Sequence, residues 1–217
     1  MGTLAHTMME ISGENPQMSE DKFKEICSNA FDTYICEHTP LIPEDAKVKK
    51  EEFLDMMASA YRMETKCEVM LKEEDIECTH ESGVKIHGFP DRVEKLSDGT
   101  YCVVDFKTGR NVEHVQDDIK TCLQVIVYAY ILEKTMNIKV SRGEFRYIRL
   151  GQKVTCRYDD DMKNDLNDML KYFKNAMEND EFPIPDKDVM EEQGTCKYCK
   201  FGDICGKTPD WEDMIND

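Results

Sequence analysis

Apolar positions recur along this chain with two different periods, and the changes of period divide it into elements. From Ser19 the spacing Phe23, Ile26, Ala30, Phe31, Tyr34 lays one apolar stripe along a helix, with Ser19 placed to cap its first turn. A second helix runs from Lys50 to about Glu64 through Phe53, Met57, Ala60 and Tyr61. Extended segments follow at about Cys67 to Cys78, Val84 to Leu96 and Thr100 to Phe106, the last carrying the β-rich run Tyr101-Cys102-Val103-Val104. A long helix from about Val115 to Lys134 comes next, then strands at Gly143 to Leu150 and Lys153 to Tyr158. The series ends in a helix from Asp160 to about Glu178, with apolar residues at Met162, Leu166, Met169, Leu170, Phe173 and Met177. This order of helix, sheet and helix points to an α/β core of mixed or antiparallel strands, and away from a doubly wound parallel sheet. The chain has no internal repeats and no low-complexity segments.

A chain of 217 residues can bury a sizeable core, and we expect one domain over residues 1–185 with a short Cys-containing segment at 186–217 packed on it. No apolar run approaches the roughly 20 residues of a membrane span, and no charged-then-apolar leader precedes a cleavage site. The expectation is a soluble, cytoplasmic protein that does not engage a membrane. Ten cysteines could suggest a disulfide scaffold, but the chain is long and highly charged, and seven of them are scattered singly through the expected elements. Most are expected to be buried, reduced thiols. The formal net charge of −17 is the wrong sign for a surface that binds nucleic acid through clustered Lys and Arg. Carboxylates that hold divalent cations can, however, belong to a site that acts on nucleic acid, and a domain attached to a larger machine can use that machine's basic channel.

The candidate chemistry lies where two of the strands meet. Gly88-Phe89-Pro90-Asp91-Arg92-Val93-Glu94 is separated by Ser97-Asp98-Gly99 from Val103-Val104-Asp105-Phe106-Lys107-Thr108-Gly109. A hairpin with a three-residue loop, Gly99 supplying the positive φ, pairs Leu96 with Thr100 and, counting back, sets Asp91 opposite Asp105. Directly opposed side chains share a face with Cβ atoms about 5 Å apart. Asp105 and Lys107, two apart on one strand, share that face too. Two close carboxylates repel, and the usual resolutions are a shared proton or a bound cation. Mg²⁺ takes hard oxygen ligands and keeps several waters, so a carboxylate pair beside a substrate phosphate suits it. The alternative is an Asp–Lys ion pair on the surface of the hairpin.

Gly88-Phe89-Pro90-Asp91-Arg92-Val93 followed by Asp105-Phe106-Lys107-Thr108-Gly109 resembles the GxxDR…DxKTG core of RecB-like PD-(D/E)XK nucleases. Gly2-Thr3-Leu4-Ala5-His6 resembles that family's first motif, a Gly followed four residues later by a helical His, and Glu10 falls on the same face as His6. Gln124-Val125-Ile126-Val127-Tyr128 resembles its QxxxY motif on the helix after the catalytic strand. The resemblance implies a restriction-endonuclease-like core, a central mixed sheet flanked by helices. It implies a Mg²⁺ or Mn²⁺ site made by His6, Asp91, Asp105 and the backbone carbonyl of Phe106, with Lys107 as the catalytic lysine. Gln124 and Tyr128, on one helical face, would orient the site and contact the nucleic acid backbone; a core aromatic is the other reading of Tyr128. His38, His80, His87 and His114 carry no motif and read as structural or exposed, His87 being close in sequence to Asp91.

Cys196-x-x-Cys199 followed by Cys205 has metal-ligand spacing, with three thiolates where zinc or an iron–sulfur cluster takes four. Placed after Phe182-Pro183-Ile184-Pro185, it is similar to the C-terminal end of AddB-type helicase–nuclease subunits and of CRISPR-associated adaptation nucleases. In both, a four-cysteine iron–sulfur cluster joins the end of the nuclease domain to its beginning. Because the His motif opens at the second residue, we expect a portion of a longer protein. We expect its 4Fe-4S cluster to be incomplete here and the segment from about Met190 to be mobile. The expected function is that of a Mg²⁺-dependent deoxyribonuclease, an exonuclease part of a recombination or repair helicase–nuclease acting on DNA. The alternatives are a stand-alone adaptation-type nuclease and a catalytically silent DNA-end-binding or structural domain of the same fold.

Overall fold

The computed structural model describes residues 2–38, 43–64, 67–112 and 119–181. Three helices lead: α1 (Gly2–Glu14), α2 (Glu20–His38) and α3 (Pro43–Met63). Strands β1 (Glu68–Leu71), β2 (Ile76–Thr79), β3 (Lys85–Gly88), β4 (Arg92–Lys95) and β5 (Tyr101–Lys107) follow, then α4 (Ile119–Met136), β6 (Val140–Tyr147), β7 (Gln152–Arg157) and α5 (Asp160–Asn179). Helix α3 starts ahead of the expected Lys50 because its first turns, Glu44-Asp45-Ala46-Lys47, show no apolar stripe to read. Pro43 opens the helix, where a missing N–H costs nothing.

Five strands form a mixed sheet in the order β1-β4-β5-β6-β7, and β2 and β3 make a separate two-stranded ribbon. Among the described strands only β5 and β6 run parallel, and α4 lies in the crossover between them. The two long extended segments expected before the hairpin each divide in two. The chain leaves the main sheet at Glu73, whose φ is +42°, and returns to it after Pro90; the Glu73 N–H donates to the Pro90 carbonyl at 3.0 Å. A proline cannot donate to a ladder, and a left-handed residue cannot continue one, so the paired segments break at the same level.

Alternation along the strands sorts the core. Cys102, Val104 and Phe106 of β5 pack with Met9, Phe23, Phe31, Phe53 and Met57 from α1–α3. Val103, with Val93 and Phe145, packs on the other face beneath Val125, Ile126 and Ala129 of α4 and Met162, Leu166 and Leu170 of α5. The chain divides into two compact units, Met1–Lys171 and Tyr172–Asp217. The second is described only to residue 181, so the expected boundary at residue 185, Cys196, Cys199, Cys205 and the segment from Met190 lie outside the described residues.

The expectation of mostly buried, reduced thiols needs correction. Cys27 and Cys102 are buried, and burial pushes both thiols up to about 12. Cys122 and Cys156, also buried, are joined as a disulfide, while Cys36 is exposed and Cys67 and Cys78 are half-buried. Tertiary packing makes the bond: Cys156 pairs with Gly143 in the β6–β7 ladder, and Val125, one turn from Cys122, rests on Gly143 so closely that an added Cβ would stand 2.5 Å from its Cγ2.

Beneath α1–α3 runs a buried chain of charges that no periodicity announces. Arg146 meets Glu94 with two hydrogen bonds of 2.7 and 2.6 Å and Glu144 at 2.9 Å, and Arg142 reaches Glu144 at 3.0 Å. At the other end Arg92 lies 3.6 Å from Glu94 and donates to Glu64 at 2.6 Å. Burial alone would lower the pKa of Arg146, but the Glu94 and Glu144 carboxylates outweigh it and hold it above the ordinary arginine value.

Two outcomes follow. Arg146→Met leaves Glu94 and Glu144 buried without their partner and should cost roughly 3–5 kcal/mol of stability, read as a shift in the urea midpoint at unchanged slope. Alkylation of unfolded, unreduced protein should spare Cys122 and Cys156, and peptide mapping should find them joined; labelling of both would refute the bond.

Candidate active site

The hairpin has the expected register. Arg92 pairs with Val104, Val93 with Val103, Glu94 with Cys102 and Lys95 with Tyr101; counting one residue beyond each end of this ladder brings Leu96 to Thr100 and Asp91 to Asp105. Leu96 N–H donates to Thr100 O at 2.8 Å, and Gly99, at φ +82°, donates to Leu96 O at 3.0 Å. Asp98 braces the loop by accepting from the Thr100 N–H and hydroxyl.

Asp91 stands at the gap between the ribbon and β4. One of its carboxylate oxygens accepts the Phe106 N–H at 2.6 Å, and the other lies 3.2 Å from His6 Nδ1. The N–H and C=O of one strand residue point the same way. The Phe106 carbonyl is therefore turned toward the Asp91 side of β5, while that of Lys107 faces β6 and accepts from Ile148 at 3.0 Å. His6 reaches Asp91 because α1 is tied down beside the sheet. The buried Arg92 guanidinium donates to the Met9 carbonyl of α1 and to Glu64, and lies over the Phe106 ring at 5.0 Å. The Phe106 ring also meets the His6 ring edge-on at 6.3 Å.

Asp105 is 4% exposed. Burial and the Asp91 charge raise its pKa, and the positive charge of Lys107 opposes them. Lys107 Nζ lies 2.8 Å from Asp105 Oδ2, yet that oxygen has no aligned hydrogen bond, so the contact is one of charge more than of lone-pair direction. Lys107 donates in turn to Gln124 Oε1 at 3.0 Å, and Gln124 Nε2 donates to the Tyr128 hydroxyl at 3.2 Å. The pKa of His6 is raised, first by its hydrogen bond to Asp91.

His6, Asp91, Phe106, Asp105, Lys107, Gln124 and Tyr128 thus form one chain of contacts from α1 across the hairpin to α4. Sequence reading missed Glu73. His6, Glu73 and Asp91 each place a ligand atom within 4.8 Å of the others. No spacing rule could find Glu73, because only the break in the strands brings it beside Asp91. An imidazole nitrogen, clustered carboxylates and a buried oxygen of Asp105 lacking a hydrogen bond are a donor set that fits a divalent cation. Two other histidines stand apart from it: His80 is buried between Ser82 (2.8 Å) and Asn167 (2.9 Å), and His87 is exposed beside Asp75. No helix among the described residues is long and apolar enough to cross a membrane.

The family model of the PD-(D/E)XK nuclease superfamily matches residues 1–206. Three relatives, each described as one of the subunits of an ATP-dependent helicase/deoxyribonuclease, come from Streptococcus agalactiae serotypes Ia, V and III and are 29% identical over 122 residues. The alignment takes in 53% of this chain and only 11% of each relative, so the chain corresponds to a small part of those proteins. With a match over nearly its whole length, the chain belongs to the PD-(D/E)XK nuclease superfamily.

Proposed function

We propose that this chain is a metal-dependent deoxyribonuclease domain that hydrolyses phosphodiester bonds, serving as the exonuclease part of a recombination or repair helicase–nuclease. The observation that carries the reading is the hairpin register, which sets Asp91 opposite Asp105 with Lys107 on the same face. In this reading His6, Asp91, Asp105 and the Phe106 carbonyl hold Mg²⁺ or Mn²⁺. The bound ion supplies Lewis acidity, lowering the pKa of water and drawing charge from a phosphoryl oxygen. Lys107, an ammonium with three donors, holds the attacking water or balances charge that develops on the phosphate. Gln124 keeps Lys107 in place through its carbonyl oxygen and is itself held by Tyr128. The relatives, as components of a helicase/deoxyribonuclease, support a role within such an assembly, and a charge of −17 fits a domain whose hold on DNA comes mainly from elsewhere in it.

Labelled single- or double-stranded DNA should be cut by the chain with Mg²⁺ or Mn²⁺ and left intact with EDTA. Lys107→Ala should slow cleavage by about 10²-fold or more while Mn²⁺ affinity stays near normal, since the lysine acts on charge of the transition state. Asp105→Ala should lose both. Intact DNA under all conditions, with Mn²⁺ still bound, would favour the silent, end-binding alternative.

Gly88 provides a subtler test. A Cβ there would lie 2.2 Å from Tyr128 Cε1, so Gly88→Ala must push the Tyr128 ring aside and release Gln124. The expected result is a loss of cleavage rate of roughly ten- to a hundredfold with unchanged Mn²⁺ affinity.

A further inference from the structure

We propose that Glu73 is a further side-chain ligand of the divalent ion, joining His6, Asp91 and Asp105 from outside the hairpin; this rests on the metal-dependent reading above. Glu73 lies in the turn between β1 and β2, where the chain leaves the main sheet. Its N–H is fastened to the carbonyl of Pro90, the residue before Asp91, so the backbones that carry the two carboxylates are joined at this level. His6 Nδ1 stands 3.2 Å from an Asp91 oxygen and 3.9 Å from a Glu73 oxygen. The imidazole thus lies between two carboxylates that approach it from different elements, and the three ligand atoms fall within 4.8 Å of one another.

The charges near Glu73 favour the same conclusion. It faces Glu10, Asp91 and His6. Glu10, one turn along α1 from His6, adds a further negative charge. Lys72, its neighbour in sequence, turns away and pairs with Glu14 at 3.2 Å. Nearby, Asp105 keeps a buried oxygen with no hydrogen bond among the described residues, 2.8 Å from Lys107 Nζ. Carboxylates from the β1–β2 turn and from the residue before β4 flank one imidazole, and the Asp105 carboxylate of β5 lies close enough to attract it. A divalent ion answers their mutual repulsion with the ligand types it prefers.

The test is Mn²⁺ binding, followed by the paramagnetic resonance signal of the free ion and by calorimetry, on the unsubstituted chain and on Glu73→Gln, Glu73→Gly, Glu10→Gln and Asp91→Asn. Glu73→Gln should weaken Mn²⁺ binding by about tenfold or more, as loss of a direct ligand must at least match loss of a supporting group. Glu10→Gln should weaken it by no more than about threefold, the effect of one screened charge. Glu73→Gly separates ligation from folding: glycine accepts the positive φ of this position, so melting in EDTA should not fall, while Mn²⁺ affinity should drop as in Glu73→Gln. Normal affinity in both Glu73 variants, with loss in Asp91→Asn, would overturn the role of Glu73 and leave the metal centre standing. Equal losses in Glu73→Gln and Glu10→Gln would overturn it as well, assigning the effect to summed charge. Failure of the unsubstituted chain to bind Mn²⁺ would overturn both readings together.

Discussion

The register of the β4–β5 hairpin governs everything around it. With a three-residue loop closed by Leu96 and Thr100, the even positions Arg92 and Glu94 point beneath α1–α3 and the odd position Val93 points toward α4. A slip of one residue would exchange those faces. Arg92 and Glu94 would then enter the apolar layer under Val125, and Asp91 would part from Asp105. Burial of two charges without partners costs several kcal/mol each, far more than a single turn can contribute, so the register is enforced by the whole sheet as well as by Gly99.

The same alternation lets one strand serve two purposes. On the odd side it presents a carboxylate to the site. On the even side Arg92 binds a carbonyl of α1, the end of α3 and the face of Phe106, so the helix that carries His6 is held by the residue next to Asp91. Gly13 lies against that guanidinium, where a Cβ would meet Nη2 at 2.9 Å, so α1 packs at a distance that only a missing side chain permits. The geometry of the candidate site is therefore supported from below by a buried ionic network, which holds α1 through the hydrogen bond from Arg92 to the Met9 carbonyl.

A strongly acidic nuclease domain is consistent once two tasks are separated. The candidate site clusters carboxylates beside an imidazole, a set that suits a cation, whereas affinity for a polyanion comes from extended basic surfaces. The relatives this chain matches are about nine times longer than the matched segment, as 11% coverage implies, so such a surface can lie elsewhere in a protein of that kind.

Much of this was legible from the amino-acid sequence because local rules suffice for it. Helical stripes gave α2 and α5, and a run ending in Ser97-Asp98-Gly99 gave a hairpin whose loop length dictates which residues oppose each other. That is why Asp91, Asp105 and Lys107 could be brought together by counting, and why their resemblance to a known motif was informative. The early start of α3 was hidden, since solvated turns carry no apolar period. The rest depended on contacts between segments distant in sequence. Glu73 joins the site only because a left-handed residue and Pro90 break two paired strands at one level. Cys122 meets Cys156 only because Gly143 lets α4 settle on the sheet. Arg92, legible as part of a motif, acquires its partners Met9 and Glu64 only when three helices close over one face. By itself the sequence determined the main helices, the strands of the hairpin and its register, and the residue types of the candidate site. Tertiary structure alone decided which distant groups complete that site, because those contacts depend on how elements far apart in the chain pack against one another.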